Sequence, residues 1–380
     1  MKSQEKTKQK KVAVLIRDFN PYSGGAEKYC FELTRVLSKK YHVSVLCQTY
    51  DGPVSDLQII KIPKIKRPRY LNQLLFSFLS RKYIQDNKFD VIHSHDMVTY
   101  ANVNTIHVPT VKSNISRKLL SSNFVNKFLI YISPRIRSYL WLENKQMNVC
   151  QDTPKHIIAV SDLLKKNITS SYAGTEYITK VISPGISLDK SILSSKKKFL
   201  ISNNIKPNSF IILFVGHSFR RKGLQTLVDA FAKINNSSIY IVVAGRGDSN
   251  EINFPNEKVK KNIIFLGGVS DMSSIYPSVD IMVHPTLGDT YGMAVLEAMY
   301  HKIPVILSDK KYCGISSDLN ESNSIFISNP LDSIDLSKKI LYLLNNIHIR
   351  RDLGINAYKF AKNKSWEHIS KEYENVFQNL

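Results

Sequence analysis

What most constrains this chain is an order of events that occurs twice: a short β-branched run, a glycine-bearing loop, then apolar residues at helical spacing. Residues 11–16 form the first run, Asn20, Pro21, Gly24 and Gly25 lie in the loop, and the helical spacing occupies residues 26–37. Further short strands are predicted at 43–46, 91–93 and 157–160. The pattern breaks at Pro184-Gly185, and a polar stretch runs from Lys196-Lys197-Lys198 to Ser209. It then restarts, with strands predicted at 210–215, 239–244, 263–266, 281–284 and 304–307 and helices at 223–234, 336–344 and 366–377. Alternation of this kind predicts an α/β fold with parallel sheets covered by helices. A chain of 380 residues is too long for one ordinary core, so two Rossmann-like domains are expected. Residues 1–11 read as a basic disordered tail, 12–185 as the first domain and 186–360 as the second.

The chain carries 53 basic and 31 acidic residues, a formal charge of +22. Residues 1–185 hold 29 and 13 of these, so the first half carries +16 and the remainder +6. Nucleic acid, an anionic membrane surface and a phosphorylated acceptor all suit such a field. The charge lacks the interleaved aromatic motif of RNA modules and any helix-turn-helix, so a nucleic-acid partner is not expected. Residues 61–88 carry eight basic residues and one acidic, and residues 112–145 carry seven and one, each around an apolar stretch. Both read equally well as surface-lying helices for an anionic membrane and as core-facing helices with a solvated lysine face. Cys30, Cys47, Cys150 and Cys313 stand singly, with no CxxC spacing, which predicts a reducing compartment and no structural zinc. No apolar run reaches the length of a membrane span and the tail lacks a signal-peptide core. The expected location is cytoplasmic, with peripheral attachment to the inner face of the cytoplasmic membrane as an option.

Three motifs carry chemistry. In His284-Pro-Thr-Leu-Gly-Asp289-Thr-Tyr-Gly292-Met293-Ala294-Val-Leu-Glu297, a strand ends at His284 and a helix starts near Met293. The amides at that helix start are free to bind phosphate. Glu297 falls on the first turns, where a carboxylate accepts ribose hydroxyls, and Asp289 lies in the loop. In Gly216-His-Ser-Phe-Arg220-Arg221-Lys222-Gly223, cations on a strand-to-helix turn are suited to a diphosphate. Gly24-Gly25-Ala-Glu27 is a third strand-to-helix loop, open to close approach of a ligand. His93, His95 and His107 lie near strand ends in Val91-Ile-His-Ser-His-Asp96 and Thr105-Ile-His107.

The two carboxylates, Asp289 and Glu297, with Gly292 between them resemble the acidic signature of family-4 glycosyltransferases, and the surrounding sequence is most similar to bacterial lipopolysaccharide-core hexosyltransferases. The family's first acid is usually Glu, so Asp289 is one methylene shorter. Arg221 and Lys222 match its diphosphate-binding pair, Gly24-Gly25 its loop over the donor phosphate, and His107 its sugar-contacting histidine, with His95 a second candidate contact. Ser161-Asp162, the 183–189 linker, Gly245-Arg-Gly247-Asp248 and Trp366-Glu367 extend the likeness over most of the chain.

The resemblance implies two facing domains of the GT-B type and a C-terminal helix, 361–380, that returns to the first domain. It implies a retaining, metal-independent transfer of a hexose from a nucleotide sugar, for which a UDP-hexose is the expected donor. The implied acceptor is a glycolipid, a lipopolysaccharide core or another glycan. Catalysis falls to His107, Asp289, Arg221 and Lys222. Donor binding falls to Gly24, Gly25, Gly216, Arg221, Lys222, Gly292, Met293, Ala294 and Glu297. No cofactor and no metal are expected, since no Asp-x-Asp stands here to bridge a diphosphate. A sugar-nucleotide epimerase or hydrolase of the same fold is the alternative; it predicts donor turnover without an acceptor.

Overall fold

The computed structural model describes residues 9–52, 57–120, 123–148, 155–187, 196–269, 271–272 and 274–380. Residues 1–8 of the basic tail, Cys150 and positions 188–189 of the linker lie outside them. Two compact units emerge, one formed by Met1–Gly185 with Trp366–Leu380 and the other by Ile186–Ser365. The return to the first unit comes at Trp366 rather than at 361.

In the first unit, β1 (Lys11–Leu15) and β3 (His42–Cys47) are mostly apolar runs because both sheet faces are covered, and β6 (Val91–Ser94) adds the buried polar His93 and Ser94 beside β1. With β5 (Gln58–Lys61), β7 (Val103–Ile106), β8 (His156–Ala159) and β9 (Thr179–Val181) they make a seven-stranded parallel sheet, ordered β5-β3-β1-β6-β7-β8-β9. A two-residue pair, β2 (Asp18–Phe19) with β4 (Thr49–Tyr50), extends the strand ends. The helices are α1 (Gly25–Leu37), α2 (Arg69–Asp86), α3 (Val111–Leu120), α4 (Phe124–Ile132), α5 (Pro134–Met147) and α6 (Asp162–Ser171). In α2, Phe76 and Ile84 are buried in a core with Ala13, Leu15 and Leu46, so this basic segment turns part of its apolar face inward. None of the residues of α3 or α4 is buried.

The second unit holds β10 (Phe210–Val215), β11 (Ile239–Ala244), β12 (Ile263–Gly267), β13 (Ile281–His284), β14 (Val305–Ser308) and β15 (Ile325–Ile327). They form a six-stranded parallel sheet in the order β12-β11-β10-β13-β14-β15. Its helices are α7 (Lys196–Ser202), α8 (Phe219–Lys222), α9 (Leu224–Ile234), α10 (Glu257–Lys261), α11 (Met293–Tyr300), α12 (Ser333–Asn345) and α13 (Ile347–Lys362). Leu224, Leu227, Val228 and Phe231 of α9 return every three or four residues and pack against Phe214, Ile241 and Val243 of the sheet. The last helix, α14 (Trp366–Gln378), buries Trp366, Ile369, Tyr373, Val376 and Phe377 in the first unit. Each such apolar side chain contributes about 1.5–3 kcal/mol.

In both sheets the strand order reverses direction once, between β1 and β6 and between β10 and β13. Loops leaving the carboxyl ends of two such strands diverge and leave a crevice for a ligand. All three sequence motifs fall on these loops.

Candidate active site

In the second unit, the loop after β10 becomes α8 and stops at Gly223, whose φ of +81° is left-handed. A Cβ there would meet the carbonyl oxygen of Pro285, just beyond β13, so glycine lets the two switch-point loops touch. Gly216 serves similarly, because a Cβ would lie 2.8 Å from Cγ of Lys222. Lys222 is thereby laid against the strand end, where its ammonium donates to Oδ2 of Asp289. Nε2 of His284 contacts the same oxygen at 3.0 Å. Burial alone would raise the Asp289 carboxyl, but the His284 hydrogen bond and the Lys222 charge outweigh it and hold the group well below the usual carboxylate range. Burial lowers His284, although Asp289 opposes this. A neutral His284 facing an ionised carboxylate must carry its proton on Nε2, leaving a buried Nδ1 acceptor without a partner.

Arg221 points elsewhere, its Nη1 donating to the carbonyl of Gly288 at 2.5 Å. It therefore lies over the 285–292 loop as an exposed cation. Arg220 donates to the carbonyl of Glu251 at 3.3 Å and braces the neighbouring loop. Gly292, at φ +105°, caps α11, and its carbonyl accepts from Val295 at 2.9 Å. The amides of Met293 and Ala294 thus precede the first intrahelical bond, as phosphate-binding amides do. On the next turn, Oε2 of Glu297 accepts from the Tyr276 hydroxyl at 2.8 Å. Burial and the Glu297 charge both push the Tyr276 phenol up, so it stays a donor, and its ring stacks on His301 at 4.8 Å. The second unit therefore brings Gly216, Arg221, Lys222, Asp289, Gly292 and Glu297 to one sheet end. Asp289, which the resemblance counts among the catalytic residues, has its Oδ2 taken by Lys222 and His284, leaving Oδ1 outside these contacts.

In the first unit, a cavity of about 390 Å³ opens at the β1/β6 end, lined by Arg17, Glu27, His95, Asp96, His107 and Glu143 among others. Arg17 Nε donates to Asp96 at 3.0 Å. Glu143 accepts from the amides of Val111 and Lys112 at 2.6 and 3.0 Å, fixing the start of α3. Gly24 is extended, with φ 179°, so its backbone does not require glycine; the Glu27 carboxylate fills the space a Cβ would enter. Gly25 opens α1. Burial raises the Glu27 carboxyl, and the Asp18 and Asp96 charges add to the effect.

His95 and His107 are stacked, with Nδ1 of His95 2.9 Å from Nε2 of His107. Beneath them runs a directed chain. The Tyr29 hydroxyl donates to the carbonyl of Ile182 at 3.3 Å, so it accepts from Tyr373 at 2.8 Å. Tyr373 then accepts from Thr105, and Thr105 from Nε2 of His93, each at 2.8 Å. One hydroxyl proton at each step leaves no other order. Burial lowers both His93 and His107 to about 3 from the ordinary 6.5, and lowers His95 as well, so all three rings are neutral. The sequence picked out His95 and His107; Tyr29, Thr105 and Tyr373 carry no local signal, since they meet only when α14 joins the first sheet.

A model described as Glycosyltransferase Family 4 matches residues 23–190, and one described as Glycosyl transferases group 1 matches residues 195–360. An uncharacterized glycosyltransferase of Methanocaldococcus jannaschii is 27% identical, over 97% of this chain and 98% of its own. The lipopolysaccharide glucosyltransferase WaaG of Escherichia coli is 20% identical, over 92% of this chain and 94% of its own. A crystal structure of WaaG superposes with a TM-score of 0.82 at 19% identity, covering 97% of this chain and all of the other. Anabaena HepE, solved with UDP and glucose, gives 0.72 at 18% identity over 98% and 100%. The chain belongs to the glycosyltransferases of GT-B fold, a family-4 domain followed by a group-1 domain, related to enzymes of lipopolysaccharide and polysaccharide synthesis.

Proposed function

We propose that the enzyme transfers a hexose from a UDP-sugar, with retention at the anomeric carbon, to the sugar end of a glycolipid or lipopolysaccharide core. The observation that carries this reading is the convergence of Arg221, the Lys222–Asp289–His284 cluster, the α11 amides and Glu297 at one switch point. Glu297 takes the ribose hydroxyls, with Tyr276 orienting the carboxylate. Arg221, Lys222 and the amides of Met293 and Ala294 take the diphosphate, where charge grows as the glycosidic bond breaks. To reach the leaving group, Lys222 shares its charge between Asp289 and the phosphate. Gly24 and Gly25 are assigned to the phosphate loop of the first unit, and His107 to the donor sugar. The Arg221 and Lys222 cations would supply the charge that a metal supplies elsewhere, so the transfer is proposed to be metal-independent. The UDP preference is supported by the likeness to HepE, solved with UDP and glucose. A membrane-borne acceptor would place the enzyme on the inner face of the cytoplasmic membrane. Among the described residues, no helix is long and apolar enough to cross one.

Retention is tested with UDP-glucose labelled with ¹³C at C1, a glycolipid extract and NMR of the product. An α-linked product is expected; a β-linked product contradicts the retaining mechanism. Release of free glucose with no lipid product favours the hydrolase alternative.

A further inference from the structure

Three imidazoles share the carboxyl end of β6 and β7. The rings of His93 and His95 have centroids 4.4 Å apart, those of His95 and His107 are stacked at 5.2 Å, and Tyr29 stands edge-on to His107 at 5.0 Å. Burial keeps all three imidazoles neutral. A neutral imidazole carries one N–H and one lone pair, so each ring takes one of two tautomers, and its hydrogen bonds decide which.

Within this cluster, Nδ1 of His93 and Nε2 of His95 are buried without a partner. The hydroxyl chain settles the first. Tyr29 donates to the Ile182 carbonyl, Tyr373 to Tyr29 and Thr105 to Tyr373, so Nε2 of His93 donates to Thr105 and the orphan on His93 is a lone pair. Folded chains leave an acceptor under-satisfied more readily than they bury an N–H with no partner. By the same rule the proton of His95 sits on Nδ1, 2.9 Å from Nε2 of His107, and is donated to it. Nε2 of His107 is then an acceptor, and a neutral ring must carry its own proton on Nδ1. His107 is half-buried and lines the cavity of the first unit, so Nδ1–H is what this ring offers to a ligand there.

We infer that His95 is a positioning residue that fixes His107 as an Nδ1–H hydrogen-bond donor to an oxygen of a sugar ligand. With its one lone pair engaged by His95, His107 has none with which to take a proton from a hydroxyl; it holds and orients an oxygen and does not serve as a general base. The inference rests on the reading of His107 as a sugar contact for its purpose only, since the tautomer itself requires no sugar.

The test is a long-range ¹H–¹⁵N spectrum of the substrate-free enzyme with labelled histidine rings. Nδ1–H is expected at His95 and His107, and Nε2–H at His93. An Nε2–H form of His95 or His107 in the wild type overturns the inference, and this spectrum decides even where a variant does not fold. His95→Asn, whose amide can donate from the position of Nδ1, should keep the Nδ1–H signal of His107, and His95→Leu should lose it. Persistence of that signal in His95→Leu means that another group fixes the tautomer and removes the role from His95. In titrations with UDP-glucose, His95→Leu should bind about five- to tenfold more weakly, as expected for one ordinary hydrogen bond, and His95→Asn as the wild type does. Unchanged affinity in His95→Leu once the tautomer is lost overturns the sugar-contact reading while leaving the tautomer assignment in place.

Discussion

Lys222 and Asp289 stabilise each other in a place where neither charge is well solvated. Removing one partner of a buried pair leaves the other uncompensated, at a cost of about 3–5 kcal/mol. Lys222→Met should destabilise the second unit by that amount in chemical denaturation, more than Arg221→Met, since Arg221 is exposed. The histidines of the first unit make a pH prediction. The unfolded chain takes up protons near 6.5, whereas folded His93 and His107 wait until about 3. Stability is therefore complete above about pH 6.5 and falls as the pH drops through that window, by at most about 1.4 kcal/mol per pH unit per histidine. His93→Gln should make the fall shallower, as read from denaturation midpoints between pH 7 and 4.5; an unchanged slope contradicts a neutral buried His93. At this scale the sequence was informative where spacing carried meaning, as for Arg221, Lys222 and Glu297. His284 and Tyr276 stayed unread, because one histidine ending an apolar strand and one tyrosine in a polar stretch look like ordinary core and surface residues.

At the scale of elements, the strands legible in the sequence were the longer ones covered on both faces, which are nearly unbroken apolar runs, as in 210–215 and 239–244; β5, β7, β9 and β15, three or four residues each, were not read. The short α8 was not, since Phe219–Lys222 is ended by the left-handed Gly223, and a four-residue helix has no periodicity to detect. The two basic amphipathic stretches could not be told apart by pattern either; α2 and α4 differ in what packs on them. The C-terminal helix α14 is where an element decides the integrity of a unit. Gly185 leaves no room for a Cβ beside Trp366, and α14 supplies Tyr373 to the histidine chain. Trp366→Ala should cost about 3–5 kcal/mol. A chain ended before residue 366 should lose amide protection in β6 and β7 while β10, β11 and β13 keep theirs in hydrogen exchange. Uniform loss, or no loss, contradicts the assignment of α14 to the first unit.

On the scale of the whole molecule, the +22 charge and the uncharged histidine cluster serve different ends, the one a surface field and the other a fixed set of hydrogen-bond donors. The charge by itself left nucleic acid, membrane and phosphorylated acceptor open; the missing aromatic and helix-turn-helix motifs spoke against nucleic acid, and the switch-point motifs pointed to a nucleotide sugar, because amides suited to phosphate and a carboxylate suited to ribose require particular spacings. No spacing in the sequence marks the loops that would recognise a nucleotide base, so the sequence does not single out the donor. In the proposed function, the second unit binds a UDP-sugar through Arg221, Lys222 and Glu297. A ligand that binds only the folded state stabilises it by about 2.7 kcal/mol at a hundredfold excess over Kd. The direct measurement is a thermal-shift series with UDP-, GDP- and ADP-sugars on the wild type, on Glu297→Ala and on Arg221→Ala with Lys222→Ala. A rise in Tm with UDP-sugars should appear in the wild type and be lost in both variants; no shift with any nucleotide sugar at millimolar concentration, or a shift the variants retain, would rule out this donor site.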